Sequence, residues 1–246
     1  MNKLSHITAA ILAGGAGTRL RSVVSDRPKV LALLGGKPFI AYLLDRLAAQ
    51  GIQKVVLCTG YLGEQVREVL GDHYLGMQLF YSREAQPMGT GGAIVQALPQ
   101  LASKTILLLN GDSYCDTNLP ASLAWHRDRQ ARATVVLAHV EQGARYGRVE
   151  IGPDGSIKRF CEKDPALIGG GWINSGVYWM EREVLAGLPA GRPFSLEKEV
   201  LGSWTGDGLY GYRDYGRFLD IGVPEDYAKA ERFLAEVYEP MAGLIP

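Results

Sequence analysis

At 246 residues and 47% hydrophobic content the chain is long enough for one sizeable core and within the single-domain range of α/β proteins, so one domain over 1–246 is expected. Its 26 Lys and Arg balance 26 Asp and Glu, which excludes a long-range field drawing it onto nucleic acid or an anionic membrane; any anion site is local. Cys58, Cys115 and Cys161 lie far apart with no CxxC spacing, no apolar run reaches the ~18 residues of a membrane span and no signal-peptide pattern opens the chain, so a reducing, cytoplasmic setting without a membrane partner is expected.

In chain order, Ile7–Ala13 reads as a short buried strand, Pro38–Gln50 as a helix with Pro38 at its first position, and Lys54–Thr59 as a strand. Leu62–Leu70 follows as a helix, Gln78–Ser82 as a strand, Gly89–Leu98 as a helix, Thr105–Leu109 as a strand and Pro120–Gln130 as a helix. Such βαβα alternation predicts an α/β fold: a Rossmann-like, mixed but mainly parallel sheet flanked by helices, with its ligand at the carboxyl ends of the strands. The second half is richer in strands: Thr134–Val140, Arg148–Ile151, Ser156–Phe160 and Ile173–Met180, with "GPDGS" turning between the second and third. These are expected to extend the sheet and build a lid over the site. The alternation in "GWINSGVYWM" suggests a strand packing Trp172, Val177 or Trp179 into the sheet, with ring stacking on a base as the rival reading. "PEDYAKAERFLAEVY" has the apolar spacing of a packing helix or of a dimer face.

The stretch "ILAGGAGTRLRSVVSDRPKV" (11 to 30) carries the chemistry. The dinucleotide fingerprint fails, because Gly15 and Gly17 are followed by Leu20 where a third glycine belongs, and no Gly-Lys-Ser/Thr completes a phosphate-binding P-loop. What remains is a strand followed by Gly14, Gly15 and Gly17, whose backbone N–H groups can approach phosphates, and Arg19, which can clamp two oxygens in a fork. A tight turn with solvated arginines is the plainer alternative. Asp112 follows the apolar run "TILLLN", which puts a carboxylate at the end of a buried strand, where it is a turn or cap residue or a metal ligand. His6, His73, His126 and His139 fall in none of these segments and read as surface or packing residues.

"AGGAGTRLRS…DRPKVLALLGGKPFI", from Ala13 to Ile40, resembles the signature of the sugar-1-phosphate nucleotidyltransferases, GGxGTRLxPLT followed by PKPMxPVxxKP. "PMGTGGA", "LNGDSY", "RYGRVE", "FCEKD", "INSGVY" and "FLDIGVPEDY" look like later segments of the same family, so the resemblance covers nearly the whole chain. Val30 stands in place of a second proline and Cys161 in place of the first of two glutamates.

The resemblance implies a nucleotide-diphospho-sugar transferase (GT-A-like) fold, with a nucleotide-binding part over about 1–115 and a sugar-binding part over about 116–235. It implies attack by a sugar 1-phosphate on the α-phosphorus of a nucleoside triphosphate, with Arg19, Lys29 and Lys163 as catalytic cations. Leu12, Ala13, Gly14, Gly15, Gly17, Thr18, Gln86 and Gly91 fall on its nucleotide side, and Gly147, Glu162 and Asn174 on its sugar side. Asp112 and Asp220 would hold Mg2+; Asp116 and Asp226 are less attractive, the latter as a first-turn helix acid. Gln86 both donates and accepts and does not decide the base. "RSVVSD", "GTGGAI" and "DIGVPEDY" are similar to the branch that joins GTP to a manno-heptose 1-phosphate. A uridylyl- or thymidylyltransferase acting on a hexose, a metal-dependent glycosyltransferase and a non-catalytic regulatory subunit are the alternatives. A monomer or homodimer, with no fused domain after Pro246, completes the expectation.

Overall fold

The computed structural model describes residues 4–141, 146–161 and 169–238. In chain order the strands are β1 (Thr8–Ala13), β2 (Leu33–Leu34), β3 (Lys37–Pro38), β4 (Lys54–Thr59), β5 (His73–Tyr74), β6 (Met77–Arg83), β7 (Thr105–Asn110), β8 (Ser113–Cys115) and β9 (Ala133–Val140). They continue with β10 (Val149–Ile151), β11 (Ile157–Phe160), β12 (Gly171–Glu181), β13 (Leu209–Asp214) and β14 (Phe218–Asp220). The helices are α1 (Phe39–Ala49), α2 (Gly63–Leu70), α3 (Gly89–Ala97), α4 (Leu119–Asp128), α5 (Arg182–Ala186) and α6 (Pro224–Tyr238).

The main sheet runs β13-β9-β12-β7-β1-β4-β6-β5. β1 pairs in parallel with β4 and β7, β4 with β6, and β13 with β9, while β12 lies antiparallel between β7 and β9. The central strands TAAILA, KVVLCT and TILLLN are apolar on both faces because both faces are covered. One side buries Leu44 and Leu47 of α1, Val66 of α2, Leu123 of α4 and Leu234 of α6; the other buries Ile94 of α3, Leu185 of α5 and Leu196. Trp179 is fully buried and its indole N–H donates to Ser122 Oγ at 2.8 Å, so this ring is structural. Trp172 instead meets His139 and the exposed Tyr215 at centroid separations of 5.2 and 5.0 Å at the strand's start.

Three expectations are corrected. The strands expected over Arg148–Ile151 and Ser156–Phe160 do not extend the main sheet: β10 and β11 form their own antiparallel pair. β12 is already taken by β9 on one edge and by β7 over Val177–Glu181 on the other. Among the described residues the hairpin therefore pairs with it through one bridge, from Arg148 to Ile173. The turn of the hairpin is tied to β13, where Gly211 N–H donates to Gly155 O at 2.8 Å. Pro38 is the residue before α1 rather than its first helical residue; its ψ of 138° is that of an extended residue in β3, where it pairs with Leu33. The strand expected from Ile173 begins earlier, at Gly171, so Asn174 lies inside β12, at a bulge between Asn174 and Tyr178.

Among the described residues no helix is long and apolar enough to cross a membrane.

At the end of the sheet away from the strand carboxyl termini, His126 on α4 is 1% exposed. Its Nδ1 lies 2.9 Å from Thr134 Oγ1 and its Nε2 3.2 Å from Glu181 Oε1. Burial lowers its pKa below the ordinary 6.5, with the Glu181 carboxylate opposing. The folded pKa is thus below the unfolded one, and the unfolded chain takes up this proton first on acidification. The stability His126 contributes is complete above pH 6.5 and is lost as the pH falls toward the folded value. Thermal melts between pH 7.5 and 5.5 should show a steeper fall for the wild type than for His126→Gln; parallel curves would disprove the linkage.

Candidate active site

The carboxyl ends of β1, β4 and β7 converge so closely that the turns after them need glycine. A Cβ on Gly60 would lie 2.8 Å from Gly14 O, and one on Gly111 would lie 2.6 Å from Leu12 O, which accepts the Gly111 N–H. Gly17 has φ +59°, a left-handed conformation that side chains resist, and a Cβ there would lie 3.0 Å from Lys29 Cβ. The loop from Gly14 to Arg19 thereby folds back over Lys29. Together these segments line a cleft of about 970 Å3 that holds Leu12, Ala13, Gly14, Gly15, Gly17, Thr18, Arg19, Lys29, Gln86 and Asp112, with Gly222 entering from the far end of the chain.

Two carboxylates meet at one side of this cleft because β8 and β14 pair with Ser113 opposite Asp220, and Ile221 N–H donates to Asp112 O at 3.0 Å. Lys29 Nζ lies 2.6 Å from Asp112 Oδ2, on a side chain that is 10% exposed. A Cβ on Gly222 would stand 2.6 Å from Asp220 Oδ1 and 3.3 Å from Lys29 Nζ, so only glycine leaves this corner open. Burial raises the Asp220 pKa, the Asp112 charge raises it further, and Lys29, the Gly222 N–H and Arg19 oppose both. Such a corner gains from an added cation. Among the described residues no group of three or more His, Cys, Asp or Glu gathers to hold a metal ion. Asp112 and Asp220 are two hard carboxylates, the number that suits a divalent ion completing its shell with phosphate oxygens and water.

The opposite side of the cleft carries a third carboxylate. Glu84 follows β6 and is tied to β4 by its N–H to Thr59 O at 2.8 Å. Its Oε2 accepts the Met88 N–H at 3.0 Å, while a Cβ on Gly14 would lie 3.3 Å from its Oε1. Burial pushes its pKa up, against the Met88 hydrogen bond. On the third side, the Asn174–Gly176 bulge abuts the cleft: Gly176 has φ +77°, and a Cβ there would meet Ser113 Oγ at 2.7 Å and Asn110 Nδ2 at 2.8 Å.

The nucleotidyl transferase family profile matches residues 8–237. The chain belongs to this family. D-glycero-alpha-D-manno-heptose 1-phosphate guanylyltransferase of Aneurinibacillus thermoaerophilus is 37% identical over 227 residues, 92% of this chain and 97% of that protein. Mannose-1-phosphate guanylyltransferase of Mycobacterium tuberculosis is 35% identical over 245 residues, 97% of this chain but 67% of that protein. The crystal structure of HddC from Yersinia pseudotuberculosis complexed with GMP-PN superposes with a TM-score of 0.83 at 31% identity, covering 93% of this chain and 99% of that one. The fold is the GT-A-like nucleotidyltransferase fold expected from the sequence, and nucleotidyltransferases of this family generally use a divalent metal.

In this nucleotidyltransferase the residues expected at the glycine loop, Lys29, Asp112 and Asp220 come together as one site. Gly91 does not line the cleft: the Phe194 ring occupies the place its Cβ would take, so this glycine makes room for a packed segment. Gly147 sits at the base of the β10–β11 hairpin, where a Cβ would lie 2.8 Å from Cys161 O. Glu162 and Lys163 lie outside the described residues. Sequence reasoning passed over Glu84, two residues before Gln86; the available signal was an acid in "REAQPMGTGG", directly after a strand of alternating burial. Replacing Asp112 or Asp220 by Asn should preserve the melting temperature within a few degrees and lower turnover by about two orders of magnitude or more, as expected when charge neutralisation at a phosphoryl centre is lost. Pyrophosphate release at saturating substrate measures this, and full activity in Asp220→Asn would remove the paired-carboxylate site.

Proposed function

We propose that the protein transfers GMP from GTP, in the presence of Mg2+, to D-glycero-α-D-manno-heptose 1-phosphate, releasing pyrophosphate. The observation that carries the choice of base is Glu84. A carboxylate accepts two hydrogens side by side, which matches guanine N1–H and its exocyclic amine. Uracil and thymine offer one N–H between two carbonyls that repel a carboxylate, and adenine offers a ring acceptor, so the same group favours one base and rejects the others. The guanylyl names of the relatives from Aneurinibacillus thermoaerophilus and Mycobacterium tuberculosis support the same base. For the sugar, the match along 97% of the heptose relative, against 67% of the mannose relative, favours the heptose.

The sugar phosphate is already an anion at neutral pH, so its oxygen needs no general base to attack the α-phosphorus. A new P–O bond forms there as the bond to the β-phosphate oxygen breaks, and pyrophosphate carries away the electron pair. The chain's task is to bring two anions together and hold them in line. The N–H groups around Gly14, Gly15 and Gly17, with Thr18 and the Arg19 fork, cradle the triphosphate. Lys29, oriented by Asp112, faces the reacting phosphate, and Lys163 holds the phosphate of the sugar. Glu162, Asn174 and the backbone at Gly147 bind its hydroxyls. Asp112 and Asp220 would hold Mg2+, which when bound neutralises charge building on the phosphate oxygens.

Glu84→Gln should lower kcat/KM for GTP by about 10- to 100-fold, since one acceptor becomes a donor facing guanine and each lost buried partner costs about 1–3 kcal/mol. The GTP to UTP ratio should fall with it. An unchanged ratio would remove Glu84 from base selection, and a better rate with mannose 1-phosphate than with the heptose 1-phosphate would transfer the sugar assignment to mannose.

A further inference from the structure

The segment "RPFSLEKEV" (192 to 200) carries no residue that the sequence pattern marks, yet it lies on the first turn of α3. Phe194 N–H donates to Met88 O at 3.0 Å and its carbonyl accepts the Gly91 N–H at 3.0 Å. A Cβ on Gly91 would overlap the Phe194 ring, and one on Gly92 would lie 2.9 Å from Arg192 O. The glycines of "GTGG" thus admit this segment. It continues into one π-helical turn, Leu196–Val200, capped by Ser195, whose hydroxyl accepts the Lys198 N–H at 3.2 Å. Single π turns of this kind recur at functional sites.

Glu197 on that turn accepts three hydrogen bonds. Thr90 Oγ1 donates to its Oε2 at 2.6 Å and Ser195 Oγ at 3.0 Å, while the Tyr178 hydroxyl donates to Oε1 at 3.4 Å. Thr90 Oγ1 itself accepts the Leu196 N–H at 2.8 Å, which turns its hydrogen toward Glu197. The Tyr178 hydroxyl accepts Asn174 Nδ2 at 2.8 Å and is reached by the Asn110 side chain, and Asn174 Oδ1 accepts the Gly176 N–H at 2.9 Å. Every donor and acceptor in the chain from Asn174 through Tyr178 to Glu197 therefore has one direction. Burial holds the Tyr178 pKa far above the ordinary phenol range, so the hydroxyl keeps its hydrogen.

We infer that Glu197 is a positioning residue that holds Thr90 on the nucleotide side and, through Tyr178, the Asn174 amide on the sugar side, both on one carboxylate. This rests on the sugar-binding role proposed above for Asn174. Thr90 lines the cleft at the start of α3, and the Asn174 bulge abuts Asn110 and Ser113 beside it. Both substrate sites therefore lean on the same acidic group. A carboxylate is needed because Thr90 and Tyr178 each offer a hydrogen to a different oxygen. A glutamine presents only one accepting atom and must release one of them.

Steady-state kinetics with GTP and manno-heptose 1-phosphate test this with four variants whose melting temperatures are checked alongside. Tyr178→Phe should raise KM for the sugar phosphate roughly tenfold while KM for GTP stays within about twofold, the size expected for one lost buried hydrogen bond. Thr90→Val should do the reverse, and Glu197→Gln should raise both. A Tyr178→Phe enzyme with both constants unchanged, or with both raised alike, overturns the inference. Asn174→Ala separates the two levels of the argument. If it leaves KM for the sugar phosphate unchanged, the sugar-site reading fails and the inference with it. If it raises that constant while Tyr178→Phe does not, the sugar site stands and the positioning role falls. Should Glu197→Gln fail to fold, Tyr178→Phe and Thr90→Val decide the question.

Discussion

Two like charges in a half-buried corner are the constraint around which this protein is arranged. Asp112 and Asp220 repel one another, and burial makes that repulsion expensive, as the upward pKa shift of Asp220 records. The chain supplies Lys29 against Asp112 and leaves the corner open at Gly222. The remaining deficit of positive charge fits a divalent cation and the phosphates it carries. A protein with no net charge can thus concentrate charge locally, at the place where two anionic substrates and the cation that offsets them must meet.

Holding that corner requires parts of the chain that are remote in sequence. Asp112 is set by the end of β7, Lys29 by the turn after Pro28, and Asp220 by the short β8–β14 ladder. The ladder forms because the chain, after crossing the sheet through β9, β12 and β13, returns alongside β8. α6 then packs Ala230, Leu234 and Val237 into the core on the same side as α1, anchoring the returning segment. The packing reading of this last helix is thereby satisfied.

The glycines fall into two physical classes. Gly60, Gly111 and Gly222 permit close approach of backbone and polar groups at the cleft itself. Gly91 and Gly92 instead accommodate the segment that carries Phe194 and Glu197. In both, the chain's own atoms fill the space left by the missing Cβ: the Gly14 and Leu12 carbonyls and the Asp220 carboxylate at the cleft, and the Arg192–Phe194 segment on α3.

The sequence by itself determined the alternating architecture, the strand-end location of the site and the loop that carries Arg19 and Lys29, because each depends on local periodicity, turn chemistry and short spacing. β4 appears at the expected boundaries, Lys54–Thr59, since a continuous apolar run bounded by polar residues leaves little choice. The resemblance of the motifs also paired Asp112 with Asp220, a contact that no local pattern contains. What only the tertiary structure decided was which polar groups share a partner. Glu84 stands out once it is seen against the Gly14 backbone, Gly91 loses its place in the cleft once Phe194 lies on it, and Glu197 gains a role once Thr90 and Tyr178 both reach it. These depend on distances between segments far apart in the chain, and distance across a fold is set by packing, which no local pattern encodes.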